Sequence, residues 1–145
     1  MPKKPDPTTL GLKNYSYPDK FGEWLGYKVN KIDCVKNTAE VSLEIREDHL
    51  SPAQRVHGGV ISAFFDFACG AAVFSTMAEH DFCSTVELKV NYFYPLNLHD
   101  KLIAKTHVAF RGKKLCVVHG YLYRNGEEKA VAMTTGTFNI ITAKV

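Results

Sequence analysis

Between Val60 and Ala78 the chain is almost wholly apolar, and Asp66 is the only charged residue between His57 and Glu79. A stretch of this length raises the question of a membrane span. A centrally placed Asp costs roughly 2.5–3.5 kcal/mol to insert, however. No cluster of Lys or Arg flanks the stretch, and alternating strands follow at once. The expectation is therefore a helix apolar on all sides, running from His57 to about Glu79 and buried in the centre of a soluble domain.

The rest of the 145 residues must wrap that helix. Asp19 to Leu25 suits a short helix that turns Phe21, Trp24 and Leu25 inward. Strands are expected over roughly 27–35 and 39–46; in the second, Val41, Leu43 and Ile45 alternate with polar residues. After the helix, Val86, Leu88, Val90 and Tyr92 alternate with Thr85, Glu87, Lys89 and Asn91, which puts Thr85 on the outer face. Further strands are expected over 102–110, 115–123 and 129–141. Turns at Arg111-Gly112-Lys113 and Asn125-Gly126 connect them. Antiparallel hairpins behind one long helix make an α+β fold, a curved sheet with the helix on its concave face. The length suits one domain over 19–145, preceded by a flexible Pro-rich lead-in over 1–18.

Composition excludes several classes. A net charge of +3 without any basic block gives no nucleic-acid footprint. Cys34, Cys69, Cys83 and Cys116 form no CxxC pair and have no histidine at ligand spacing, so neither a metal site nor a disulfide framework is expected. They read as reduced thiols of a cytoplasmic protein, consistent with an N-terminus that lacks the apolar run of a signal peptide.

Chemistry then falls to few residues. A carboxylate set among Phe64, Phe65 and Phe67 is desolvated, which suits Asp66 to act as base or nucleophile; the alternative is a structural Asp bonded to a neighbouring strand. Gly58 and Gly59 open the helix, where uncovered N–H groups and the positive dipole end suit a developing oxyanion. His57 either orients a substrate carbonyl or caps the helix. Gly59 and Asp66 lie on nearly one helix face but roughly 10 Å apart at 1.5 Å rise per residue. One reacting carbon, approached to about 3–3.5 Å, cannot touch both. If both serve one reaction, the glycine of one subunit must face the aspartate of another, which predicts a homodimer with antiparallel helices.

The run Arg55-Val56-His57-Gly58-Gly59-Val60-Ile61-Ser62-Ala63-Phe64-Phe65-Asp66 closely resembles the PaaI-type hotdog thioesterases. The resemblance continues through Ser84 to Tyr92, Pro95 and the Gly112-Lys113 turn, covering about residues 25–141. It implies the hotdog fold and hydrolysis of acyl-CoA without metal or cofactor, coenzyme A being part of the substrate. Asp66 would be the base or nucleophile, the Gly59 N–H the oxyanion donor, and His57 a holder of the thioester. Thr85 matches a position whose hydroxyl assists the water or the carboxylate. Family members usually carry Asn or Gln six residues before the His; here Ser51 stands there, with Gln54 as a nearby substitute. Arg111, Lys113 and Lys114 are candidates for the CoA phosphates. The acyl group would enter between paired helices, bounded by Phe64, Phe65 and Phe67, in a dimer that pairs into a homotetramer. Two alternatives remain: a non-catalytic acyl-CoA binding or sensing protein on the same fold, and a hydratase, for which no Asp–His pair is found.

Overall fold

The computed structural model describes residues 19–142; the lead-in assigned to 1–18 lies outside the described residues. Helix α1 (Lys20–Leu25) is followed by strands β1 (Lys28–Asp33) and β2 (Thr38–Glu44), then a 3₁₀ turn (Glu47–His49) and helix α2 (Gly58–Phe74). Strands β3 (Asp81–Tyr92), β4 (Lys101–Arg111), β5 (Leu115–Arg124) and β6 (Ala132–Thr142) complete one antiparallel sheet of order β1-β2-β4-β5-β6-β3. α2 packs against every strand, in the hotdog arrangement.

α2 is not buried on all sides. Val60, Ile61, Phe64, Phe65, Ala68 and Cys69 go into the core, whereas Gly59, Ser62, Ala63, Asp66, Phe67 and Gly70 form a partly open stripe. Small residues make up most of that stripe, so hydropathy hides a helix that is two-faced in space. The helix also stops earlier than expected. The Ser75 and Thr76 hydroxyls donate to the carbonyls of Ala72 and Val73 at 2.6 and 2.7 Å, and the backbone tightens into i to i+3 bonds through Met77. No helix among the described residues is long and apolar enough to cross a membrane.

Two contacts fix the helix depth. The Thr106 hydroxyl of β4 donates to the Ala68 carbonyl at 2.9 Å. Gly120 of β5 lies beneath Phe65: a Cβ there would stand 2.9 Å from Thr134 Cγ2 and 3.5 Å from the Phe65 ring. A bare backbone at this point lets a fully buried Phe sit flat on the sheet.

β3 departs from strict alternation. Its register with β6 shifts between Thr85 and Glu87, so Val86 is an extra, bulged residue. The bulge changes the phase, and Thr85 now shares the helix-facing side with Leu88. Val86, expected inward, is 60% exposed. β3 is also an edge strand, with no partner on its far side among the described residues.

Candidate active site

The N-terminus of α2 supplies its own cap. His57, in extended conformation, turns its ring back so that Nδ1 accepts the Gly59 N–H at 2.9 Å, while its carbonyl accepts the Val60 N–H at 2.9 Å. With Nδ1 an acceptor, the ring proton of the neutral imidazole sits on Nε2. The Gly59 N–H, expected to be open, is thus engaged within the chain. His57 itself is held by its N–H, which donates to the His49 carbonyl at 2.8 Å. The Tyr92 hydroxyl, from the end of β3, donates to the Gly58 carbonyl at 2.8 Å and lies 2.6 Å from Ser62 Oγ. A phenol has one proton, so Ser62 donates to Tyr92.

Two turns further along α2, Asp66 stands half-buried on the open stripe. Its Oδ1 accepts from Thr85 Oγ1 at 2.7 Å. This contact exists because the bulge aims Thr85 at the helix. Burial, and next the Asp66 charge, push the neighbouring Cys83 thiol up to about 11; the same two causes push Cys69 upward. Both thiols stay protonated at neutral pH and offer no thiolate nucleophile. Among the described residues no group of three His, Cys, Asp or Glu side chains is placed to hold a metal ion.

Within one chain the structure joins His57 to Gly59 and Asp66 to Thr85, and leaves the two pairs separated along the helix. Ser51 and Gln54 lie in a tight loop closed by the Leu50–Val56 bridge. The Ser51 N–H donates to the Arg55 carbonyl at 2.7 Å, and exposed Gln54 sits at φ 61°. Neither side chain hydrogen-bonds to His57, Gly58, Gly59 or Asp66. Arg111 is committed within the chain: Nε donates to Thr76 Oγ1, just past the end of α2, at 3.0 Å, and Nη1 to the Gly112 carbonyl of its own turn. Lys113 and Lys114 remain exposed beside it.

Phe64 and Phe65 are corrected by the fold. Both are fully buried against the sheet and cannot bound a path for an acyl group. Only Phe67 reaches the half-open side, stacked on Tyr27 with ring centroids 4.3 Å apart. Ser62 and Tyr92 were missed. Ser62, one turn before Asp66 on the same face, was legible from spacing; alternation already put Tyr92 on the face of Leu88 and Val90, but its reach to the start of α2 depends on how the strand end crosses the helix.

The sequence profile of the thioesterase superfamily matches residues 53–131, from the loop before His57 through the exit of β5. The chain belongs to the thioesterase superfamily. This thioesterase is similar to a phenylacetic acid degradation-related protein of Ralstonia eutropha JMP134, at 25% identity and a TM-score of 0.79 over 88% of this chain and 95% of that one. It is likewise similar to a mutant of the phenylacetic acid degradation protein PaaI of Thermus thermophilus, at 27% identity and a TM-score of 0.74 over 83% and 98%. A curated protein of Archaeoglobus fulgidus, provisionally named an esterase, is 26% identical over 87% of this chain and 79% of its own length. The chain is a PaaI-type hotdog thioesterase, and its chemistry is thioester hydrolysis.

Proposed function

We propose that the protein hydrolyses acyl-CoA thioesters as a homodimer, with Asp66 of one subunit acting on a thioester held at His57 and Gly59 of the other. The observation that carries the reading is the Thr85–Asp66 hydrogen bond at 2.7 Å on the open stripe of α2. It fixes one carboxylate oxygen and leaves the second for a water or a carbonyl carbon. As general base, Asp66 takes a proton from water while the water oxygen bonds to the thioester carbon. The carbonyl oxygen becomes an oxyanion; its collapse breaks the C–S bond, and CoA leaves as a thiolate that recovers a proton. As nucleophile, Asp66 forms a mixed anhydride that water then opens. The oxyanion would meet the His57 Nε2–H, or the Gly59 N–H once it displaces the ring.

Three features support the dimer. The carboxylate and the helix N-terminus stand roughly 10 Å apart in one chain. The free edge of β3 and its exit carry exposed Phe82, Val86, Tyr92, Phe93 and Tyr94. A Cβ at Gly70 would meet nothing within 4 Å, so no contact within the chain requires a glycine there. A helix of another subunit lying close would. Pairing of dimers into a tetramer, and phosphate contacts from Lys113 and Lys114, belong to the same reading.

The test is thiol release from a panel of acyl-CoAs that includes short, long and arylacetyl thioesters, the last because the relatives' names speak of phenylacetic acid degradation. Asp66→Asn should remove turnover with the fold intact by circular dichroism; full turnover in that variant would reject Asp66. The second reading, an acyl-CoA binding protein without turnover, is favoured by the Gly59 N–H already being taken by His57. Tight binding with no thiol release from any thioester would select it.

A further inference from the structure

The Tyr92 hydroxyl joins two elements that chain order keeps apart. Tyr92 ends β3, paired with Ala132 of β6 and on the face of Leu88 and Val90, while its acceptor opens α2. The choice of acceptor is informative. The helical ladder already offers the Gly58 carbonyl the N–H of Ser62, so the phenol is not needed to satisfy a stranded oxygen. The Gly58 carbonyl and the Gly59 N–H belong to one peptide group, and that N–H donates to His57 Nδ1 at 2.9 Å.

Taken in order, the donors point one way. Ser62 Oγ–H donates to Tyr92 at 2.6 Å, and the Tyr92 O–H donates to the Gly58 carbonyl at 2.8 Å. The Gly59 N–H donates to the His57 ring, whose Nε2–H stands at the exposed end of the chain of bonds. A donor on the carbonyl oxygen draws electron density through the peptide resonance and leaves the N–H more positive. Accepting that N–H does the same to the imidazole and its Nε2–H. The ring can close on the helix only over a small residue: a Cβ at Gly59 would stand 3.0 Å from His57 Nδ1.

We infer that Tyr92, backed by Ser62, is a positioning residue: it orients and polarises the Gly58–Gly59 peptide, and through it the donor that meets the oxyanion. That donor is the Gly59 N–H or the His57 Nε2–H, and the chain of bonds strengthens either. The inference rests on the thioesterase reading and deepens it. β3 then orients the carboxylate through Thr85 and the opposing donors through Tyr92. In the proposed dimer these two residues of one strand serve two different sites. A donor on an oxyanion contributes about 10²–10³-fold in kcat, and alignment strengthens a bond by about 10–30%, so losing the phenol proton should lower kcat roughly two- to eightfold.

Gly58-Gly59 is the only Gly-Gly pair in the chain. Protein made with glycine carrying ¹³C at the carbonyl and ¹⁵N at the amide therefore gives one carbonyl-to-amide correlation, which reads this peptide without any substrate. Tyr92→Phe keeps the ring and removes the hydroxyl. The Gly58 carbonyl carbon and the Gly59 amide proton should both move upfield, and kcat for thiol release should fall by the stated factor with KM within about twofold. Ser62→Ala leaves the phenol and the β3 edge untouched; it should move the same two resonances the same way by less, and Ser62→Thr should restore them. A correlation that stays in place in Tyr92→Phe overturns the inference, whatever happens to turnover. So does wild-type kcat in that variant, or a loss confined to KM and melting temperature, which marks a merely structural tie; in either case the thioesterase reading survives. If the resonances move but the wild-type protein releases thiol from no thioester, the polarised peptide stands and the thioesterase reading falls.

Discussion

Replacing Thr85 with Val removes one hydroxyl and keeps the branched shape and the strand preference of the residue. The lost contact is the 2.7 Å bond to Asp66 Oδ1, a neutral donor on a carboxylate. Hydrogen bonds to charged groups contribute about 1.5–3 kcal/mol. At 1.36 kcal/mol per tenfold, losing the whole of it from the transition state lowers kcat by roughly 10- to 150-fold. Because Thr85 acts through Asp66 and is exposed, KM should move less than threefold and the fold should survive. Thr85→Ser restores the hydroxyl and should recover most of the rate. The decisive comparison is a double-mutant cycle read on the residual thiol release that concentrated Asp66→Asn protein retains: there, adding Thr85→Val should cost almost nothing further. Full turnover in Thr85→Val, or two penalties that simply add, would refute the claim that this hydroxyl works by orienting the carboxylate.

Two further tests address assembly and pH. Gly70→Ala should gain the isolated helix about 1 kcal/mol of propensity, since a methyl there meets nothing in the chain. It should nevertheless raise the dimer dissociation constant in sedimentation runs; a variant that dimerises as well as wild type removes the helix-on-helix interface. The buried His49 accepts the Arg46 N–H on Nδ1, and its Nε2 bonds to the Leu25 carbonyl at 2.9 Å, so it is neutral. Burial first, then the Arg46 charge, hold its pKa below the ordinary 6.5. A group with a depressed folded-state value binds protons more readily when unfolded. Its stabilising effect is therefore complete above about pH 6.5 and is lost as pH falls below that. Urea melts at pH 7.5 and 5.5 should show the loss, and His49→Gln should flatten the part of it that belongs to this residue.

Much of the fold was legible from local patterning, because α2 and the alternating strands each carry a periodic signal of their own. The apolar run located the central helix, and Asn125-Gly126 located a turn, both residues having positive φ. Three features escaped for physical reasons. Hydropathy cannot distinguish a buried alanine from one beside a cleft, so the open stripe of Gly59, Ala63 and Gly70 was invisible. Strict alternation assigned Thr85 to the wrong face, since a bulge is a property of two paired strands and not of one. The fate of the Gly59 N–H depended on a rotamer of His57, which no spacing rule encodes. Asp66 stood out in the sequence because a lone charge in an apolar run is costly to bury, and the fold meets that cost by leaving it half-buried on the open stripe.

The bulge at Val86 has a consequence for how β3 tolerates changes in length. The strand is written in two reading frames that meet at one residue: Cys83 and Thr85 are in phase before it, Leu88 and Val90 after it. Deleting Val86 would merge the frames and leave every other side chain on its present face, because Thr85 already pairs with Phe138 and Glu87 with Thr137. Deleting Ser84, two positions earlier, would instead carry Phe82 inward and turn Cys83 out. For this strand the loss of one residue is harmless at the exposed valine, while anywhere else it turns one side of the strand to the opposite face, whatever the chemistry of the residue removed.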